Sequence, residues 1–183
     1  KFIELGYKRQ GESIAALRLL GVPEENIFFL GYPDRGLASM WHEHWDMSNP
    51  YPSKFTKAYM SPYLNSYRRD AFYSGEDVVK DLESIIQKVH PTIIFTASPL
   101  DMHPDHWATY NFTLYAIKDL DQKGMLPIPR PKVLWYLVHR GKWPYPREFC
   151  PGAQLVPPRE LTEAGFNWLA YRLSNGAIMA KTK

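Results

Sequence analysis

Four side chains able to bind a metal ion or transfer a proton lie within six consecutive residues: Asp101, His103, Asp105 and His106. A hydrolytic zinc site commonly has three His, Asp, Glu or Cys ligands and an open position for water. The metal lowers the pKa of the water and polarises a carbonyl, while nearby carboxylates and histidines move protons and stabilise the oxyanion. The cluster therefore predicts one or two ligands and one or two acid–base groups. A helix cap with a structurally packed histidine pair is the alternative.

The cluster lies where a strand is predicted to turn into a helix. Residues 92–97 form a short apolar, β-rich run typical of a buried strand, and residues 104 to about 120 are typical of a helix. The helix would begin at a proline, which is favoured at the first helical position, so His103 is the predicted N-cap and Asp105 lies in the first turn. Open α/β sheets bind ligands beyond the carboxyl ends of their strands, so this position supports the site.

Alternating elements on either side predict the architecture. Helices are predicted over residues 6–20, 74–89 and 104 to about 120, and strands over residues 26–30, 92–97 and 133–138. This order predicts a mostly parallel sheet with helices on both faces, that is, an α/β fold. Ser74 is the predicted cap of the second helix, with Asp77 three residues later. Residues 166–173 predict a further strand, Ser174 caps a last helix, and residues 37–73 show no clear period.

Three loops at the carboxyl ends of the predicted strands carry polar groups. If the sheet is parallel, these loops open on the same edge and bring together Asp34, the 101–106 cluster and His139. We therefore expect one site built from all three loops. Residues 42–44 (His-Glu-His) are a second, weaker candidate for metal binding, because alternate residues of an extended strand face the same side.

Length, charge and cysteine content limit the function classes. The 183 residues, 45% of them hydrophobic, predict one globular domain over residues 1–183. The net charge is +3, and residues 131–183 hold eight Lys or Arg against three Glu without a dense basic run, so we expect no nucleic-acid partner. The single cysteine excludes an internal disulfide. The sequence has no apolar run that could span a membrane and no signal peptide, so we expect a cytoplasmic protein.

Five segments match, in order, the motifs of one known family. The stronger matches are residues 30–37 (Leu-Gly-Tyr-Pro-Asp-Arg-Gly-Leu), 61–64 (Ser-Pro-Tyr-Leu) and above all 101–106 (Asp-Met-His-Pro-Asp-His). The weaker matches are Arg9 with Glu12, and residues 136–144. The chain thus resembles the PIG-L/LmbE-like zinc-dependent N-deacetylases, which act on N-acetylglucosamine-type conjugates.

The resemblance implies a fold, a reaction and a set of roles. The fold would be a Rossmann-like three-layer α/β/α domain, and the reaction the removal of an N-acetyl group from a small-molecule sugar conjugate by a zinc-activated water. The resemblance does not determine whether the protein forms a homo-oligomer. The implied roles are zinc ligand for His106, catalytic groups for His103 and Asp105, and substrate contacts for Arg9, Asp34 and His139. His103 would stabilise the oxyanion and protonate the leaving amine, with Asp105 orienting it.

One motif of the family is missing from this sequence. The Ala-His-Pro-Asp-Asp motif of the first strand supplies two more zinc ligands and the general base, and it has no counterpart here. We therefore expect a partial domain, truncated at its N-terminus, that by itself binds zinc weakly and is inactive. A metallo-β-lactamase-like hydrolase, whose signature His-x-His-x-Asp-His resembles residues 101–106, and a non-catalytic sugar-binding domain of the same fold are the alternatives.

Overall fold

The computed structural model describes residues 1–145, 148, 150 and 153–180. Two compact units divide the chain, Lys1–Leu137 and Val138–Lys183, and each is described by itself. The single domain expected over residues 1–183 stays a prediction. The elements of the first unit are α1 (Phe2–Leu19), a 3₁₀ turn (Glu24–Asn26), α2 (Leu37–His42), α3 (Gly75–Val89), β1 (Ile93–Ala97), α4 (Pro104–Gln122) and β2 (Lys132–Tyr136).

A parallel pair of strands confirms the α/β class. Strand β1 pairs with β2 from Ile93 opposite Lys132 to Ala97 opposite Tyr136. The backbone N–H of Ser98 donates to the carbonyl of Tyr136 at 2.8 Å, which continues the pairing into the loop that carries the polar cluster. Helix α4 connects the two strands and packs against β1, as a parallel crossover requires.

Both helices that flank β1 begin at the predicted residues. Ser74 precedes α3, and its side chain accepts a hydrogen bond from the backbone N–H of Asp77 at 3.2 Å. His103 precedes α4, and its ring accepts from the backbone N–H of Asp105 at 3.2 Å. Such caps satisfy N–H groups that have no partner within the helix. The short distance in sequence between strand end and cap leaves only residues 98–103 for the loop of the candidate site.

The core of the first unit lies between α2, α3 and α4. Met40 of α2 and Phe112 of α4 are fully buried there. The Trp41 ring meets Phe112 edge-on, with 4.9 Å between ring centroids, and also contacts Trp45 and Trp107. Burial of these rings stabilises the unit and fixes the start of α4 against α2.

Three predicted elements differ in the structure. The strand expected over residues 26–30 is wrong: a 3₁₀ turn ends at Asn26, and Phe29 forms only an isolated parallel bridge with Ser66. The irregular stretch 37–73 contains α2, which is too short to give a helical period. The strand expected over residues 166–173 is also wrong, because these residues form no strand in the part of the chain that the structure describes, and Tyr171 is 88% exposed.

In its described residues, the second unit contains two short helices, α5 (Arg159–Glu163) and α6 (Asn175–Ala180). The Trp143 indole N–H donates to the carbonyl of Val156 at 2.8 Å, and Arg140 lies 3.4 Å from the carboxylate of Glu160. Ser174 accepts from the backbone N–H of Ala177 at 3.2 Å, which confirms the predicted cap of the last helix. None of the helices in the described residues is long and apolar enough to cross a membrane.

Candidate metal and catalytic site

Asp34, His103 and Asp105 meet at the carboxyl end of β1. One ligand-type atom from each of the three lies within 4.8 Å of the others, and no other trio of acidic, histidine or cysteine side chains does so within the described residues. The Nε2 atom of His103 is 4.0 Å from Oδ1 of Asp34. The structure thus brings together two of the three loops that were expected to converge.

The His103 ring is oriented by the start of its own helix. Its Nδ1 accepts from the backbone N–H of Asp105, so the lone pair of that nitrogen is engaged. A neutral imidazole that accepts at Nδ1 has its proton on Nε2. The ring therefore presents an N–H donor toward Asp34, a geometry suited to stabilising an oxyanion or donating a proton.

The Asp105 carboxylate ties α4 to the turn that carries Asp34. One carboxylate oxygen accepts from the backbone N–H of Leu37 at 3.1 Å and the other from that of Arg35 at 2.5 Å. Arg35 adopts a left-handed backbone conformation with φ of 58°, which lets both N–H groups point at the same carboxylate. Burial raises the pKa of Asp105, and the two N–H donors offset part of that rise. Asp105 thus orients His103 through its backbone N–H, while its carboxylate positions Asp34.

His106 lies in the first turn of α4 beside a buried carboxylate. Its Nδ1 is 3.0 Å from Oδ1 of Asp101, whose side chain is 0% exposed. The same Asp101 oxygen accepts from the backbone N–H of His103 at 3.0 Å. The contact has an ion-pair distance but not the geometry of a hydrogen bond. The negative charge beside Nδ1 still favours a proton on that nitrogen and a lone pair on Nε2, the arrangement of many metal-ligating histidines. The His103 and His106 ring centroids are 4.9 Å apart, so the two imidazoles belong to one site.

The donor set fits a divalent metal ion. Imidazole nitrogens and carboxylate oxygens are the ligands that zinc takes besides thiolate. The Asp34 side chain is 63% exposed and those of His103 and His106 are 27% and 28% exposed, so all three are accessible to solvent. Each Asp105 oxygen accepts one backbone N–H and keeps a second lone pair with which it could bind a metal ion.

A pocket of about 300 Å³ adjoins Asp34 on the side of α1. It is lined by Phe2, Leu5, Gly6, Arg9, Gly31, Tyr32, Pro33, Asp34, Ser53, Phe55, Thr56, Pro62, Tyr63 and Tyr73. Arg9 is on the exposed face of α1 and pairs with Glu12 at 2.9 Å. Two side chains predicted to contact substrate, Arg9 and Asp34, therefore line the same pocket.

Two further candidates from the sequence remain: His139 and residues 42–44. His139 is in the second unit, and its role stays a prediction. The metal site suggested for residues 42–44 is not formed, because His42 is the last residue of α2 and no extended strand aligns it with His44. The His42 ring instead stacks on Trp107 with a centroid separation of 5.2 Å, and Nδ1 of His44 lies 2.9 Å from the carbonyl of Asn49.

Two features of the site were not predicted from the sequence: the aromatic pocket and the contact between Asp101 and His106. Asp101 itself was predicted as a member of the cluster. The available signal was its position two residues before the cap His103, where an Asp side chain readily accepts a backbone N–H. The pocket had only the aromatic residues of the 37–73 stretch as a signal, and these gave no indication of which rings face α1.

Comparison with known proteins supports the family assignment. A family model described as GlcNAc-PI de-N-acetylase matches residues 2–117, more than half of the chain. No curated protein and no solved structure matches the chain. The matched segment contains Arg9, Asp34 and the complete 101–106 cluster, and it favours this family over the metallo-β-lactamase alternative. The chain belongs to the PIG-L family of de-N-acetylase-type hydrolases.

Proposed function

We propose that the site at the carboxyl end of β1 serves a zinc-dependent hydrolase that removes the N-acetyl group from an N-acetylglucosamine-type conjugate. The observation that carries this proposal is the meeting of His103, Asp105 and Asp34 in the family-matched segment, beside His106 and its buried Asp101 partner. Few arrangements other than a metal-assisted hydrolytic site place this many ligand and acid–base groups at a strand-to-helix turn.

In this proposal His106 is a zinc ligand, oriented by Asp101 at Nδ1. Zinc, when bound, polarises the amide carbonyl and lowers the pKa of water. His103 presents its Nε2 proton to the oxyanion and then to the departing amine. Asp105 keeps His103 in that tautomer through its backbone N–H, and its carboxylate keeps the Asp34 turn against α4.

Substrate contacts come from the pocket next to the reacting centre. Asp34 accepts hydrogen bonds from sugar hydroxyls, and Arg9, which lines the same pocket, donates to sugar oxygens. His139 is proposed as a further substrate contact. The small-molecule sugar conjugate is the only partner that this proposal requires.

Zinc titration of the purified chain tests the metal site. We expect one weakly bound zinc ion, measured by calorimetry and by metal analysis after gel filtration. His106→Asn should abolish the binding, because it removes the imidazole that Asp101 orients. His90→Asn is the matched control, since His90 is an exposed left-handed residue at the end of α3 and asparagine tolerates that conformation. Equal zinc affinity for His106→Asn and the unmodified chain would contradict the proposal.

Acetate release from N-acetylglucosamine conjugates in the presence of zinc tests the chemistry. The expectation that these 183 residues alone are inactive predicts no release above the rate of the uncatalysed reaction. If the chain does release acetate, that expectation is wrong, and His103→Gln should then lower kcat by about 10²-fold or more, the usual contribution of one acid–base group.

A further inference from the structure

We propose that the pocket beside Asp34 binds an apolar group, about the size of one aromatic ring with a few further atoms, that is linked to the sugar of the substrate. The proposal rests on the proposed function and adds the substrate class: an aryl or similarly apolar glycoside of an N-acetylated sugar.

The pocket is continuous with the reacting centre. Asp34 belongs to the trio with His103 and Asp105 and also lines the pocket. A substrate whose acetamido group lies at His103 therefore extends past Asp34 into the pocket. Arg9 also lines it and is the one cationic side chain of the lining. Beyond these two polar residues, the lining belongs mostly to aromatic and aliphatic side chains from α1 and the 53–63 segment.

Three hydroxyl groups of the pocket walls form hydrogen bonds within the protein. The Tyr32 hydroxyl donates to Asp81 at 2.8 Å, and the Tyr73 hydroxyl donates to the carbonyl of Gly31 at 3.2 Å. The Ser53 hydroxyl oxygen accepts from the backbone N–H of Thr56 at 3.3 Å. A buried sugar hydroxyl without a partner would cost about 1–3 kcal/mol. Away from Asp34 and Arg9, the walls therefore favour an apolar group.

The aromatic wall is held in place from α1. Gly6 has no side chain, and a Cβ there would overlap the Tyr63 ring, so the ring packs directly on the helix. Tyr7 meets Tyr63 edge-on at 5.2 Å between centroids, and its hydroxyl accepts from the backbone N–H of Leu64 at 3.0 Å. Such a preformed wall binds an apolar group without first having to order its own side chains.

The volume decides the size of the occupant. A cavity of about 150 Å³ lined by apolar side chains binds one benzene molecule. The pocket here is about 300 Å³. It thus holds one aromatic ring with its linking atoms. At its outer side, Phe2 and Phe55 pack against each other with 5.2 Å between ring centroids, and both are partly exposed and available to cover a bound ring.

Binding of matched glycosides to the purified chain tests the inference. The probes are phenyl and methyl N-acetyl-β-glucosaminide, measured by calorimetry. We expect the phenyl compound to bind at least about tenfold more tightly, the lower end of what a small group contributes in an apolar pocket. Phe55→Ala should reduce this ratio to near one. Tyr59→Ala is the matched control, because Tyr59 is a similarly exposed aromatic residue of the same segment that does not line the pocket.

Two additions make every outcome decisive. Phe2→Ala repeats the test from α1, so the result does not depend on the folding of one variant. Phenyl and methyl β-glucoside lack the acetamido group and report the pocket alone, which separates a failure of this inference from a failure of the proposed deacetylation. Equal affinity of phenyl and methyl compounds, absence of binding, or a phenyl preference that survives both Phe55→Ala and Phe2→Ala would overturn the inference.

Discussion

Replacement of Asp105 by asparagine should loosen the turn that carries Asp34 without unfolding the chain. The Asp105 carboxylate accepts backbone N–H groups from Arg35 and Leu37, and an asparagine amide can accept only one of them. The other N–H then faces an NH₂ group. Loss of one hydrogen bond to a charged acceptor costs about 1.5–3 kcal/mol. For a chain of this length, a loss of about 2 kcal/mol lowers Tm by about 4–8 °C.

Thermal unfolding and amide hydrogen exchange measure the two parts of this prediction. The free energy of unfolding should fall by the stated amount, and the N–H of Arg35 or Leu37 should exchange faster in the folded protein than in the unmodified chain. Asp121→Asn is the control, since Asp121 is on the same helix but forms only an exposed ion pair with Arg130. Exposed pairs contribute about 0–1 kcal/mol.

Equal Tm values for Asp105→Asn and Asp121→Asn would contradict this prediction. A lower Tm with unchanged amide exchange at Arg35 and Leu37 would also contradict it, because the stability would then be lost through other contacts. A positioning role of Asp105 has a further consequence for the site. Zinc affinity should fall less in Asp105→Asn than in His106→Asn, because the carboxylate acts on the Asp34 turn and not on His106.

Three further substitutions test the supports of the site, each by urea unfolding. Arg68→Ala removes the guanidinium that lies 2.8 Å from Asp77 and 2.7 Å from Asp81, and it leaves these buried carboxylates only Lys80, 3.9 Å from Asp77. The free energy of unfolding should fall by about 3 kcal/mol, and a loss below about 1 kcal/mol would contradict this. Ser74→Ala removes the α3 cap and should lower the free energy of unfolding by about 1 kcal/mol. An unchanged free energy of unfolding would show that the cap does not stabilise the chain. Gly31→Ala places a Cβ at a residue with φ of +78°, where it would overlap the Ser61 and Ser66 side chains. We expect the free energy of unfolding to fall by at least about 2 kcal/mol. An equally stable variant would show that this turn readily rearranges.

Sequence patterns were informative where local chemistry alone determines the structure. Ser74 and His103 were identified as caps because a capping side chain acts on N–H groups only two or three residues away. The proline after His103 fixed the start of α4 to the residue. Strand β1 was predicted within one residue, since its apolar run ends in the polar loop. Its expected burial was wrong, because Ile93 and Phe95 are 48% and 67% exposed.

Patterns failed where an element depends on a distant neighbour. Phe29 lies in an apolar run that resembles a strand, but it is bridged only to Ser66, so the run forms no ladder. Apolar residues 166–173 likewise have no partner strand in the described residues. A single strand has no internal hydrogen bonds, unlike a helix, so its apolar pattern cannot reveal whether a partner exists.

The site itself shows the same division. The types and spacing of His103, Asp105 and His106 indicated metal chemistry. Asp34 lies beside them as expected, although the strand predicted to precede it over residues 26–30 is not formed. The sequence could not show that the Asp105 carboxylate binds the backbone of Arg35, 70 residues away, because backbone N–H groups are present at every position except proline. For the same reason, the contacts of the family motif depend on the fold. A His-Pro-Asp-His segment caps a helix and orients its first histidine through local contacts. Its aspartate binds the loop that carries Asp34 only when the fold brings residues 34–37 to the start of α4.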